Sequence, residues 1–371
     1  MKTKLQSAFT LVELLISMAV LVLLITMVMQ LLNGTTAVTT ASRKQMDADS
    51  QARMVFDRMA LDFGKMVKSK DVDYIFSKQG SNTATSGSND KMFFYSEAPA
   101  YSGTTSASAR STIALAGYRT NAKYQLERLG KTLAWDGGGN DPGSMVYLSF
   151  SAAGTTPQAK STLAGNWTGT LGSAPIYSGT DNDYHVVAET VYRLEFCFQV
   201  KDLSNPNAQG SVYSNYPLAY FGSGAGALNQ SSKSSSSPGT AKAGDRWYDT
   251  ANNRAFVCSG VTNNTPSWRP LGMDDVLGVV VAIGILDSSS RQMITDGTGA
   301  IQPAIGAKLV GAFPDPQDNS TSDLRIKDQK LMAELWQAAL NKPDFTQTSG
   351  LPQLAASQIR IYQRNLTLRA K

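Results

Sequence analysis

A chain of 371 residues with 42% apolar and 17% charged side chains can bury a real core, in one large domain or two ordinary ones. Its 31 glycines and its serine, threonine and asparagine tracts argue against an all-helical fold. The net charge of +5 comes from lysines and arginines scattered along the chain, which gives no reason to propose a nucleic-acid partner.

The chain opens with a short polar leader, residues 1–8, carrying Lys2 and Lys4 and ending in Ala8. Residues 9–32 are then almost wholly apolar. As a helix this segment is about 36 Å long, against a hydrocarbon core of about 30 Å. Lysines on its N-terminal flank keep that end in the cytoplasm and place everything after Leu32 on the far side of the membrane. A secretory signal peptide has an apolar core of roughly 7 to 15 residues and a small-residue cleavage site after it. Here the core is longer and runs into Asn33-Gly34-Thr35-Thr36. Glu13 breaks the apolar run, at a cost of up to about 2.5 to 3.5 kcal/mol near a helix centre. A plain anchor gains nothing from that carboxylate, so it needs a partner. If the chain is cut between Ala8 and Phe9, the freed α-amino group of Phe9 in a neighbouring copy supplies one.

Helical spacing resumes over residues 33–70, with a weak point at 33–40 where glycine and β-branched threonines allow a kink. Met46, Val55, Phe56, Met59, Phe63, Met66 and Val67 form an apolar stripe, and Arg53, Asp57, Arg58, Asp62 and Lys65 are interleaved with it. This amphipathic stalk is expected to pack on a sheet.

Residues 71–371 change to short β-type runs separated by loops, which predicts an α+β domain: one long N-terminal helix on an antiparallel sheet. Strands are expected at 91–96 and 144–150. Another is expected at 192–200, where alternation predicts a half-buried strand with Arg193, Glu195 and Cys197 on its polar face. Residues 276–286 are apolar on both faces and predict a central strand, and 359–368 a closing one. A hairpin is expected from Arg246 to Cys258, and Trp247 and Trp268 near it offer either a sugar-binding face or, the preferred reading, packing of the hairpin. Ser322-Asp323 predicts the cap of a helix running to Asn341. Residues 77–90, 102–111, 152–183 and 203–243, the last with a serine run at 231–237, read as mobile or disordered loops.

Catalytic signatures are sparse. The single histidine, His185, reads as structural at a strand start, and neither a histidine-paired metal motif nor a phosphate-binding loop is present, so no enzyme chemistry is expected. Cys197 and Cys258 allow one optional disulfide or two separate thiols. Asp181-Asn182-Asp183 and the set Asp315, Asp318, Asn319 and Asp323 carry oxygen ligands suited to calcium but lack EF-hand spacing, and ordinary turn residues are the preferred reading. No cofactor is expected.

The segment Ala8-Phe9-Thr10-Leu11-Val12-Glu13-Leu14-Leu15-Ile16-Ser17 resembles the class III signal of type IV pilins and type II secretion pseudopilins, with Ala8 where the family usually has glycine. The order of helix and sheet is similar to W-type minor pilins and to the J-type minor pseudopilin. The length and the closing Ile359-Arg360-Ile361-Tyr362-Gln363-Arg364 resemble the prepilin-like Verru_Chthon cassette protein C. The resemblance implies cleavage by a prepilin peptidase between Ala8 and Phe9, N-methylation of Phe9, and assembly through Phe9 and Glu13. It further implies a single-pass bacterial inner-membrane protein with a periplasmic domain. Its partners would be the peptidase, sibling pilin-like subunits and the assembly platform of a type II secretion or type IV pilus machine. A membrane-anchored binding protein or adhesin is the alternative.

Overall fold

A computed structural model describes residues 10–68, 74–78, 89–98, 113–132, 147–149, 158–160, 184–201, 210–217, 231–251, 254–320 and 323–369. They fall into two compact units, Met1–Ser50 and Gln51–Lys371.

Helix α1, Leu11–Gly64, runs unbroken through residues 33–40. The hydroxyls of Thr35, Thr36, Thr39 and Thr40 each donate to the carbonyl four residues back, at 2.8 Å. This bonding ties the hydroxyls to the helix's own carbonyls, and the segment stays helical throughout despite its glycine and threonines. Met46, assigned to the apolar stripe, is exposed, and the buried stripe is Ala52, Val55, Phe56, Met59 and Phe63.

The second unit is built from sheets, in keeping with the α+β expectation. Its strands in chain order are β1 (Tyr74–Ser77), β2 (Lys91–Ser96), β3 (Ala114–Thr120), β4 (Leu126–Thr132), β5 (Tyr147–Ser149), β6 (Gln158–Lys160), β7 (Tyr184–Ala188), β8 (Val191–Lys201) and β9 (Ser211–Ser214). There follow β10 (Ser231–Ser234), β11 (Arg246–Asp249), β12 (Arg254–Thr262), β13 (Thr265–Pro270), β14 (Val276–Leu286), β15 (Asp318–Ser320), β16 (Asp323–Ile326) and β17 (Ile359–Thr367). One antiparallel sheet has the order β1-β2-β3-β4-β7 and a second β15-β16-β9-β8-β14-β17; a smaller mixed sheet has the order β10-β11-β12-β13, with β10 parallel to β11, and β5 pairs with β6. Between β14 and β17 lie short helices α2 (Ser288–Ile294), α3 (Pro303–Gly311), α4 (Met332–Leu340), α5 (Phe345–Ser349) and α6 (Gln353–Ala356). They close over a core centred on fully buried Trp336, whose indole N–H donates to the Pro314 carbonyl.

The last turns of α1 dock by one aromatic and one charge. Phe63 stacks on Phe94 with ring centroids 4.5 Å apart. Asp62, interleaved with the apolar stripe, is fully buried, because two partners from the sheet and one from the preceding helical turn converge on it. Tyr118 donates its hydroxyl to Asp62 at 2.5 Å, Arg128 reaches it with Nε at 2.6 Å, and Arg58 stands at 3.4 Å. Gly117 fits beside this contact because a Cβ there would lie 2.0 Å from the Phe93 ring.

Strand β14 sits between β8 and β17 and is buried nearly throughout, as its apolar run predicts. β8 differs from its expectation. Arg193, Glu195 and Cys197 are buried, not solvated, because β8 has strands on both sides and packed layers over both faces. Arg193 pairs with Glu195 at 3.0 Å and with Asp315, and its guanidinium lies 5.4 Å over the Trp336 ring. Glu195 also meets Lys78, which reaches Asp90 at 3.1 Å.

Other local expectations are overturned by pairing at a distance. Residues 323–326 form β16 and not a helix start: Leu324 and Ile326 are buried alternately, and Asp328 at φ 56° turns the chain out of helical geometry before α4 begins at Met332. Within 203–243, residues 211–214 and 231–234 are strands, and part of 152–183 is β6. The serine strand β10 is held by hydrogen bonds, with Thr250 N–H donating to Ser234 O and the Trp247 indole to Ser234 Oγ. Of the expected loops and strands, residues 79–88, 102–111, 144–146, 150, 152–157, 161–183, 203–209 and 218–230 lie outside the described residues. The expected hairpin is present as β11 and β12, with Arg246 opposite Val257.

Two buried phenols make the stability of this unit sensitive to alkaline pH. Burial, and then the Asp62 carboxylate, push Tyr118 well above its ordinary 10.0. Burial does the same to Tyr192, whose hydroxyl has no hydrogen-bond partner among the described residues. A phenol whose folded value is raised keeps its proton after the unfolded chain has lost it. Its contribution is therefore fully present below about pH 10 and is lost as pH rises further. Resistance to urea is expected to fall steeply above pH 10, and a Tyr192→Phe variant to show a shallower slope there.

Candidate functional site: the N-terminal membrane segment

Among the described residues one helix is long and apolar enough to cross a membrane, the N-terminal part of α1. From Leu11 to Leu32 its large apolar side chains are exposed, for example Leu15 at 63% and Leu24 at 53%. At 1.5 Å per residue this stretch spans about 33 Å, enough for a bilayer core. Polar side chains inside it are tied to its own backbone: Ser17 donates to Glu13 O at 2.5 Å and Thr26 to Leu23 O at 2.8 Å.

The helix start is built by Thr10 and Glu13. Thr10 accepts the first helical bond, from Leu14 N–H at 3.3 Å. Glu13 Oε2 accepts from Thr10 N–H and from the Thr10 hydroxyl, both at 3.0 Å, while Thr10 Oγ1 takes Glu13 N–H at 3.4 Å. This reciprocal arrangement is a capping box, which fills donors that lipid would leave unsatisfied. Its signal, threonine followed three residues later by glutamate ahead of an apolar run, is legible in the sequence. The cap uses Oε2 and leaves Oε1 without a partner among the described residues, so capping and an outside cation can coexist on one carboxylate.

Ala8 and Phe9, the expected cleavage and methylation positions, lie outside the described residues. Of the other candidates, Cys197 and Cys258 are buried free thiols in different sheets. Cys197 lies against Asn215 and Met332, and Cys258 against Gly260 O. His185 is exposed on β7. Trp247 is buried, stacked on Phe256 at 4.9 Å and edge-on to Trp268 at 5.6 Å, so its ring packs the hairpin. The proposed calcium oxygens face protein groups. Asp315 meets Arg193, Asp318 meets Lys233 and Asn215, and Asp323 meets Arg325 and Asn319. Asp181 to Asp183 fall outside the described residues.

Comparison with known families matches residues 3–29 to the prokaryotic N-terminal methylation motif. Comparisons with curated proteins and with solved structures find no match. The matched segment contains the leader lysine Lys4, Ala8, Phe9, the capping pair and most of the apolar helix. Such a signal implies membrane anchoring, processing by a prepilin peptidase and assembly with other pilins. It points to a structural subunit. The chain thus carries the class III prepilin signal on a long apolar helix followed by antiparallel sheets, consistent with the type IV pilin-like family.

Proposed function

We propose that this chain is a minor pilin-like or pseudopilin subunit, inserted with its N-terminus in the cytoplasm, trimmed between Ala8 and Phe9, N-methylated on Phe9, and added to a short filament or its tip. On this reading it has no enzymatic role. Its domain after the membrane helix lies in the periplasm of a bacterium, and it engages sibling pilin-like subunits and the inner-membrane assembly platform of a type II secretion or type IV pilus machine. The observation that carries the reading is Glu13: an acidic side chain inside the matched motif and in an otherwise apolar segment, holding one carboxylate oxygen in the cap and leaving the other without a partner among the described residues. A neighbouring copy's Phe9 amine is a cation of the right sign in low dielectric, where a pair of charges is strong. The exposed apolar side chains from Leu11 to Leu32 supply the packing surface. The tethered-adhesin alternative has less support, since Trp247 and Trp268 pack edge to face and do not present a flat stacking surface.

Cross-linking in membranes tests this reading. With prepilin peptidase present, cysteines introduced along residues 14–24 are expected to cross-link to sibling pilin-like subunits, and without the peptidase the chain should remain uncoupled. Equal cross-linking in both strains, or none in either, contradicts the proposal.

A further inference from the structure

Lys78 directly follows β1 and Asp90 directly precedes β2, so they occupy the next rung beyond the Ser77↔Lys91 pair. Lys78 Nζ lies 3.1 Å from Asp90 Oδ2, across twelve positions of sequence. Their side chains are 6% and 0% exposed. Glu195, fully buried on β8, closes on the same Nζ. Asp90 Oδ2 also accepts the Phe196 backbone N–H at 3.0 Å, which holds the carboxyl group in place and polarises it. Phe76, Phe196 and Phe198 nearby are fully buried. A lysine, an aspartate and a second carboxylate thus meet out of water, where an ion pair is costly to keep and a released water is not readily returned.

We propose that Lys78 and Asp90 condense into an intramolecular isopeptide bond, with Glu195 carrying the protons. Burial works against the Lys78 charge, but Asp90 and Glu195 outweigh it and hold the ammonium form, so the first step moves a proton from Lys78 to Glu195. Burial pushes the Glu195 carboxyl well above its ordinary value, which suits it to receive that proton. The nitrogen lone pair then forms the N–C bond at Asp90 Cγ, and Glu195 passes its proton to an Asp90 oxygen. A second proton leaves the nitrogen by the same route. The C–O bond breaks with its electron pair on oxygen, which departs as water. One ammonium and one carboxylate become one amide and one water, and nothing is oxidised or reduced. The bond would staple the open end of the β1–β2 pair independently of any filament role.

Peptide mass spectrometry of the full-length protein, purified in detergent, denatured and digested with trypsin, decides the matter. The expected product is a single peptide of residues 71–91, uncut after Lys78 and one water lighter than its sequence. In Lys78→Arg, cleavage after position 78 and the full mass should return. In Asp90→Asn the same ring should close with loss of ammonia in place of water. In Glu195→Gln the rate of condensation should fall at least about tenfold, a barrier increase of about 1.4 kcal/mol. Separate peptides 71–78 and 79–91 at full mass from the folded wild-type protein overturn the proposal. So does a Lys78 peptide joined to residues 194–201, which would make Glu195 the acceptor.

Discussion

Replacing Arg193 with methionine is expected to destabilise the sheet unit by about 3 to 5 kcal/mol, a large share of the roughly 5 to 15 kcal/mol that holds a domain folded. The guanidinium is 2% exposed and faces Glu195 and Asp315, themselves 0% and 9% exposed. Taking it away leaves carboxylates buried beside each other, and Asp90 stands in the same field. Methionine fills much of the volume, so the loss is electrostatic and not a cavity effect. It also removes the cation over the Trp336 ring, which makes tryptophan fluorescence a local reporter of the change. Urea unfolding of the full chain in detergent measures the cost. A loss below about 1 kcal/mol, the size of a surface ion pair, would show that the cluster is not held as described.

Glu13 carries the second large effect. Glu13→Leu removes both the cap and the charge, whereas Glu13→Gln retains an N3 side chain able to accept from Thr10 and removes only the charge. Both variants should insert in the membrane at least as well as the natural chain, since a carboxylate in lipid is a cost. Both should lose most of their assembly, because the pairing cation then meets no carboxylate. The assembled fraction is measured by pelleting or cross-linking from whole cells. A Glu13→Gln chain that assembles like the natural one would reduce Glu13 to a helix cap.

Where apolar side chains alone decide an element, the sequence was sufficient. Val276–Leu286 is apolar on both faces and is a central strand, and Lys91–Ser96 and the Arg246 hairpin stand as their patterns predict. Reading failed where polarity was equated with exposure. Arg193, Glu195 and Asp62 are charged and buried because their partners come from distant segments: Asp315 from the loop after α3, Lys78 from the end of β1, and Arg128 and Tyr118 from β4 and β3. No periodicity carries that information. Ser231–Ser234 failed for a related reason, since a serine strand is held by backbone pairing and hydroxyl bonds and has no hydrophobic alternation to reveal it. At Ser322-Asp323 a local capping pattern lost to sheet pairing through β16. In the membrane segment the charge was legible but its intramolecular partner was missed, although Thr10 stands three residues before it.

The N-terminus of the protein as it exists in its native membrane tests the central claim most directly. Mass spectrometry should find a mature chain beginning with N-methylated Phe9, whose amine is then free to neutralise a neighbour's Glu13. A chain that retains Met1 through Ala8 would leave that carboxylate without its cation and would contradict the filament account.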